Sequence, residues 1–469
     1  MFAAFSASSA RSRGAARLAA ATLVSGLVAA GSLAAAGAAA ADGTPQSEGG
    51  ATATIGGLKT YGAAVVHGGG TDEQVSAGLF EMSVDNGGTL QTYGIDIHNP
   101  TQKEARYHET SWRGTSLNGN KNAGKIRWIL QNSYPQVNDL ARLAAEAGAK
   151  SLTEQDAAAG TQVAIWRFSD GADVDAVDPQ AERLADYLQK HARNLPEPAA
   201  SLTLDPPAVA GHPDERLGPV TVHTNADSVT VTPPADAATT KVKIVDKDGK
   251  PVTTAADGSR IYFQVPKTAQ DGWAELTVQA STTVPVGRAL TSETRSQTQI
   301  LAGSSESTVS AVTTAAWAKK GAIPALSAEK NCAEGAVDIT AVNKGDKAFT
   351  FDLMSAEHTI PAGASQKVTI PLLEDQPYDF TIKGPAGYRK WVKGVLDCKT
   401  ETAAGGLKIQ TLSEPSPAAM AGGTATDTNL AETGTSNATP LIAGTAIALV
   451  VIGGAALLLV RRKQTPTHD

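Results

Sequence analysis

The stretch TEQDAAAGTQVAIWRF, residues 153–168, is where the reading of the chain turns. Thr153 and Asp156 stand three apart, the spacing at which each side chain can accept the other's backbone N–H, so a helix is predicted to open here and run to Phe168. Asp178-Pro179 predicts the start of the next helix, with Leu184, Ala185, Leu188 and Ala192 along one side. Upstream, Ile126, Ile129 and Leu130 share one helical face, and Leu140, Leu143, Ala144 and Ala147 share another. From about Thr60 to Asn99 the chain reads as strands. There Leu90-Gln91-Thr92-Tyr93-Gly94-Ile95-Asp96-Ile97 alternates in character until the breaker Asn99-Pro100. Residues 55–200 are therefore read as an α+β domain, and the Gly/Ser/Thr-rich 42–54 as disordered.

Beyond Pro196 the pattern is almost wholly β. Val220-Thr221-Val222, Val229-Thr230-Val231 and residues 241–245, 261–265 and 276–278 alternate between Asp/Gly/Pro turns, with Asp246-Lys247-Asp248-Gly249 as a hairpin signal. The expectation is an immunoglobulin-like β-sandwich over 201–320. A second one is expected over 325–400, where strands run between Val337 and Val395. Residues 401–429, rich in Ala, Gly, Thr, Ser and Pro, hold too few apolar side chains for a core and read as a linker.

Both ends carry targeting signals. Arg11, Arg13 and Arg17 precede an uncharged Ala/Leu/Val run over 18–41, and Ala38 to Ala41 supply small residues before Asp42. That is the form of a signal peptide cleaved near Ala41. At the other end the uncharged 441–460 is long enough, as a helix, to cross a hydrocarbon layer of roughly 30 Å. Arg461, Arg462 and Lys463 then begin the tail 461–469 and hold it on the cytoplasmic side. Cys332 and Cys398 fall in the part read as exported, and their spacing fits neither zinc nor CxxC chemistry. One structural disulfide is expected, contributing roughly 2–4 kcal/mol.

Several chemistries are excluded. The formal charge is −7, and losing the signal arginines and basic tail makes the remainder more acidic, which argues against nucleic acid as a partner. His108-Glu109 lacks the second histidine of a zinc-protease helix. Asp170, Asp173, Asp175 and Asp178 lack the glycine and terminal glutamate of an EF-hand, so no metal site is expected. Gly68-Gly69-Gly70 is not followed by Lys-Ser/Thr, and no nucleophile motif supports an enzyme. No cofactor is expected.

Two resemblances add to this. Leu430-Ala431-Glu432-Thr433-Gly434, with the apolar span and basic tail behind it, resembles the LPxTG sorting signal in the LAxTG form of class E sortase substrates. It implies attack by a sortase on the Thr433 carbonyl, release of Gly434 onward, and transfer to cell-wall peptidoglycan from a membrane-held precursor. Thr161-Gln162-Val163-Ala164-Ile165-Trp166 resembles the TQxA motif of Gram-positive thioester domains, and Tyr93-Gly94-Ile95-Asp96 resembles their YCxD-type motif. With the stretch from Asn118 to Asn138, which is similar to actinobacterial members, this likeness spans about residues 55–200.

In that family a cysteine thiolate displaces ammonia from a glutamine amide, and the buried thioester acylates an amine on a target surface. Carried over, the glutamine is Gln162, while the cysteine position is Gly94. The resemblance therefore implies a head without its nucleophile, either a member that binds without a bond or a substituted form of a reactive parent. The expected function is wall-anchored surface attachment to an unidentified surface ligand; the alternative is a structural wall spacer.

Overall fold

The computed structural model describes residues 49–399 apart from positions 69 and 71. The signal peptide, the linker 401–429, Leu430, Ala431, Glu432, Thr433 and Gly434 of the sorting motif, and the apolar segment 441–460 lie outside the described residues. Among the described residues no helix is long and apolar enough to cross a membrane. The described chain is mostly β with few helices.

The head is built on β1 (Gly50–Val66), which pairs antiparallel with β2 (Glu73–Val84) along nearly its whole length. β3 (Thr89–Gly94) pairs with β2, β4 (Arg106–Thr110) with the start of β1, and β5 (Val174–Ala176) with its end. Four helices follow the sequence signals: α1 (Ala123–Gln131), α2 (Leu140–Ala147), α3 (Glu154–Ser169) and α4 (Pro179–His191). Both halves of the α3 capping box form, the Thr153 hydroxyl accepting from Asp156 N and the Asp156 carboxylate from Thr153 N. Asp178 caps α4 through Gln180 N and Ala181 N, with Pro179 in the first turn, where no N–H is needed. Every residue of α3 from 157 to 166 is buried, so this helix is wrapped on all sides and shows no one-sided stripe.

Two expectations about the head are corrected. Residues 50–54 are not disordered. They form the start of β1, where Gly50 and Ala51 pair with Ser310 and Val309, and Ala51 N donates to Glu109 Oε2. Their small residues are suited to close packing, and the partners that order them lie far along the chain. The strand expected to reach Ile97 stops at Gly94, because the Asp96 carboxylate accepts His98 N at 3.0 Å and turns the chain out of the ladder.

The boundary expected at 200/201 does not divide the head sheet. Strands Gln299–Ser304 and Ala289–Ser292 pair with β3 and β4, and Ser307–Trp317 joins β1 to Gly272–Thr282. Residues from the region expected to form a separate sandwich thus complete the head. The rest of that region packs the sheet of Leu202–Asp205, Arg216–Thr224, Arg260–Gln264 and Lys243–Val245 against Gly272–Thr282 and its neighbours. Val220, Val222 and Phe263 meet Leu276, Val278 and Trp317 in their shared core. A third region has the sheet Pro324–Asn331, Ala336–Asn343 and Ser365–Pro371 and two hairpins, Phe349–Leu353 with Ala356–Ile360 and Pro377–Lys383 with Arg389–Val395. The Cys332–Cys398 disulfide is present there.

Candidate functional site

Gly94 is the last residue of β3, buried, and two glutamines close on it from different directions. Gln162, in the buried middle of α3, accepts Gly94 N–H on Oε1 at 3.1 Å and donates Nε2–H to Gly94 O at 2.8 Å. Its carboxamide therefore satisfies both backbone groups of residue 94, as a neighbouring strand would. Thr161 beside it donates to Ala157 O at 2.6 Å and shares a hydrogen bond with Ser133. The fully buried Tyr93 donates its hydroxyl to Tyr134 O at 2.9 Å, and burial pushes the phenol's pKa upward. Trp166 is buried as core, with its Nε1 unpartnered.

The second glutamine is Gln297, on the segment leading into Gln299–Ser304. A Cβ on Gly94 would lie 2.0 Å from Gln297 Oε1 and 2.7 Å from its Cδ. The Gln297 carboxamide thus fills the space that any side chain at 94 would occupy, and only glycine fits beside it as it stands. Gln297 Nε2 donates to Thr101 Oγ1 at 2.5 Å, while Oε1 is buried without a partner. Tyr107 fixes the same segment by donating to Gln297 O at 2.9 Å. Gln299 accepts the Thr92 hydroxyl at 3.0 Å.

A buried acidic lining lies beside these amides. Asp96 is 2 % exposed; burial, followed by the nearby carboxylates of Asp170 and Asp397, pushes its pKa up to about 8. Burial raises Asp170 to about 7 against the hydrogen bonds it accepts from Ser169 and Ile97. Both carboxyls are therefore harder to ionise than in free solution.

The structure brings Gly94 and Gln162 together, as the motifs imply, but gives Gln162 a different task. It grips the backbone, whereas the carbonyl carbon in reach of a residue-94 side chain is that of Gln297. Sequence reasoning missed Gln297 because it lies beyond the assumed end of the head. The available signal was the polar alternation Gln297, Gln299 leading into Ile300 and Leu301. Chemically the site offers two carboxamides and no thiol: among the described residues there is no free cysteine.

Glu109 is buried against Arg288 Nε at 2.9 Å, His108 Nε2 pairs with Glu293 at 2.5 Å, and Asp175 and Asp178 serve Arg167 and the α4 cap. A cleft where the head edge meets the third region is lined by His108, Thr291, Glu293, Lys330, Trp391 and Lys393. Lys393 reaches across it to Glu293 at 3.5 Å.

Residues 91–194 match the family model described as a thioester domain, a span that contains Gly94 and Gln162 and ends before Gln297. No curated protein matches the chain. Among solved structures it is similar to the Bacillus anthracis TIE protein at 15 % identity and a TM-score of 0.26, covering 74 % of this chain and 63 % of that one. The chain therefore spans less than two thirds of that protein's length. It is also similar to the thioester domain of the Enterococcus faecium TIE86 protein at 16 % identity and a TM-score of 0.28, covering 57 % and 97 %. A third likeness is to the E. coli chaperone DraB, at 12 % identity and a TM-score of 0.17, covering 42 % and 98 %.

Proposed function

We propose that this chain is a surface-attachment protein whose thioester-type head holds its target without a covalent bond. The family match over residues 91–194 supports the head's identity, and the observation that carries the reading is at residue 94. Two buried carboxamides converge there, one on the backbone and one on the side-chain position, and the residue between them is glycine. In a reactive site a thiol at 94 would attack the Gln297 Cδ, forming the C–S bond as the C–N bond breaks, and the proton given up by the thiol would leave on the amide nitrogen as ammonia. Gln162 would hold the backbone in place for that attack, and proximity would supply much of the barrier reduction. With Gly94 the first step has no electron pair to start from.

The rest of the reading concerns display. The sorting motif Leu430, Ala431, Glu432, Thr433 and Gly434 is proposed to pass the chain to a class E sortase, and so to peptidoglycan at Thr433. The segment 441–460 would hold the precursor in the membrane until then. The head and the β regions behind it would face outward, with no catalytic turnover and no nucleic-acid partner.

The test is an intact-mass series on the full chain. The protein as it stands is expected to show one disulfide and no ammonia loss. Gly94→Cys is expected to lose about 17 Da, one ammonia, and to react with small amines. Adding Gln297→Ala should restore the full mass, whereas adding Gln162→Ala should only slow the loss. Ammonia loss that survives Gln297→Ala and vanishes with Gln162→Ala would reassign the acceptor. Attachment is read separately: surface-bound protein should be released intact by denaturant. Adducts that resist denaturant overturn the non-covalent reading, and absence of binding to any cell or matrix surface favours the spacer.

A further inference from the structure

After Val395 the chain turns back along the turn at 372–376, and the two stretches meet through the backbone. Asp375 N donates to Leu396 O at 2.8 Å, and Glu374 Oε1 accepts the N–H groups of Cys398 and Lys399. Glu374, Asp375 and Asp397 each bring one carboxylate oxygen to within 4.8 Å of the other two. Arg295 compensates part of this charge through Asp375 at 3.3 Å, from an exposed position. A separate observation shows that the group is incomplete. Asp397 is only 5 % exposed; its Oδ2 accepts the Thr298 hydroxyl at 2.6 Å, and its Oδ1 is buried with no hydrogen-bond donor. Lys330 is the positive charge that acts on Asp397, yet no donor reaches this buried acceptor oxygen, which leaves it short of a partner.

We propose that Glu374, Asp375 and Asp397 bind a hard divalent cation of calcium type, which fastens the 396–398 segment to the head at Thr298. The ligand chemistry sets the class: all three donors are oxygens, with neither imidazole nor thiolate, which suits Ca²⁺ and disfavours zinc or copper. The donors come from two irregular segments, a setting that calcium tolerates better than magnesium because its coordination is larger and more flexible. Water and backbone carbonyls would complete the shell. The Cys332–Cys398 disulfide already holds one side of the site, which lowers the ordering cost of binding. Because Thr298 follows Gln297, the cation would also stiffen the segment that carries the second amide. The proposal stands independently of the attachment reading.

The test is calorimetric titration and thermal unfolding of the full chain after removal of metal by chelator. One saturable Ca²⁺ site is expected, in the range of about 0.1–1 mM found for extracellular modules, with a higher unfolding temperature that chelator reverses. Mg²⁺ should give a smaller response. Glu374→Gln and Asp375→Asn, both at partly exposed positions, should each weaken binding about tenfold or more while the metal-free protein unfolds as before. Asp397→Asn should abolish the response and leave the metal-free protein no less stable, since it removes a buried carboxyl. No heat and no stabilisation up to about 10 mM Ca²⁺ overturns the proposal, as does binding that all three variants retain.

Discussion

The head and the disulfide-bonded third region reach closure in opposite ways. In the head, β3 finds its outer neighbour at Gln299–Ser304 and β1 begins against Ser307–Trp317, so the sheet is completed by segments some two hundred residues away. In the third region each strand pairs with a near neighbour in sequence, and a single covalent bond ties its ends. Their buried ionisable groups differ as well. The head holds the buried Asp96 and the half-buried Asp170, while the third region holds Lys390 besides the buried acids Asp338 and Asp397; Lys390 Nζ makes no hydrogen bond, and burial pushes its pKa down to about 7. The contrast suggests that a remote closure depends on polar groups bridging distant segments, whereas a local one can be stapled.

The largest expected effect is an opposite response of the two regions to pH. Asp96 titrates near 3.8 when unfolded and about 8 when folded, so between those values the folded state holds a proton that the unfolded chain has lost. Its contribution to stability is present at low pH and declines as pH rises through that window, by up to about 1.4 kcal/mol per pH unit. Lys390, at 10.5 unfolded and about 7 folded, has lost a proton that the unfolded chain keeps, so its contribution grows as pH rises from 7 to 10.5. Hydrogen exchange in chelator should show head protection falling and third-region protection rising as the buffer becomes more alkaline. Asp96→Asn and Lys390→Met should flatten the respective trends; parallel responses of both regions would end the contrast.

Next in size is Glu109→Ala. One buried carboxylate holds Arg288 Nε, Ser201 N and hydroxyl, and Ala51 N, which joins four segments that are distant in sequence. Its removal should cost about 3–5 kcal/mol in denaturant unfolding, because Arg288 loses a buried counter-charge. A loss below about 1 kcal/mol would mean that remote closure does not depend on this junction. Replacing Cys332 and Cys398 together by Ser should cost about 2–4 kcal/mol. The loss should be confined to the third region, with β1 and β2 keeping their exchange protection.

The smallest effect sharpens the site itself. Gly94→Ala should destabilise by about 1–3 kcal/mol, since its Cβ meets the Gln297 amide at 2.0 Å. Gln297→Ala in the same chain should recover most of that loss in a double-mutant cycle. Independent, additive costs would show that the two positions do not compete for one space.

What was legible in the sequence follows the same division. The capping box at Thr153, the Asp178-Pro179 start and the alternating strands after Val337 are local signals, and each lies where its own residues direct. Gly94 and Gln162 were found as a pair because the motifs that carry them lie within one continuous stretch. Gln297 was hidden because it reaches Gly94 only through the pairing of Gln299 with β3, which no local pattern encodes. Residues 50–54 were misread for the same reason, their order being supplied by Ser310 and Val309. At Ile97 the alternation was real, but a carboxylate-to-backbone turn at Asp96 outweighed it.

The remote partner of β3 also imposes a timetable. Thr92 and its partner Gln299 are 207 residues apart, so a chain that emerges from its N-terminus leaves β3 without its neighbour until those residues have followed. During that interval the edge of β3, with Tyr93 and Gly94 on it, is an open hydrogen-bonding template of the kind that invites wrong pairing. Slow emergence lengthens the exposure and fast emergence shortens it, so the yield of correctly closed heads becomes a matter of delivery rate as well as of stability.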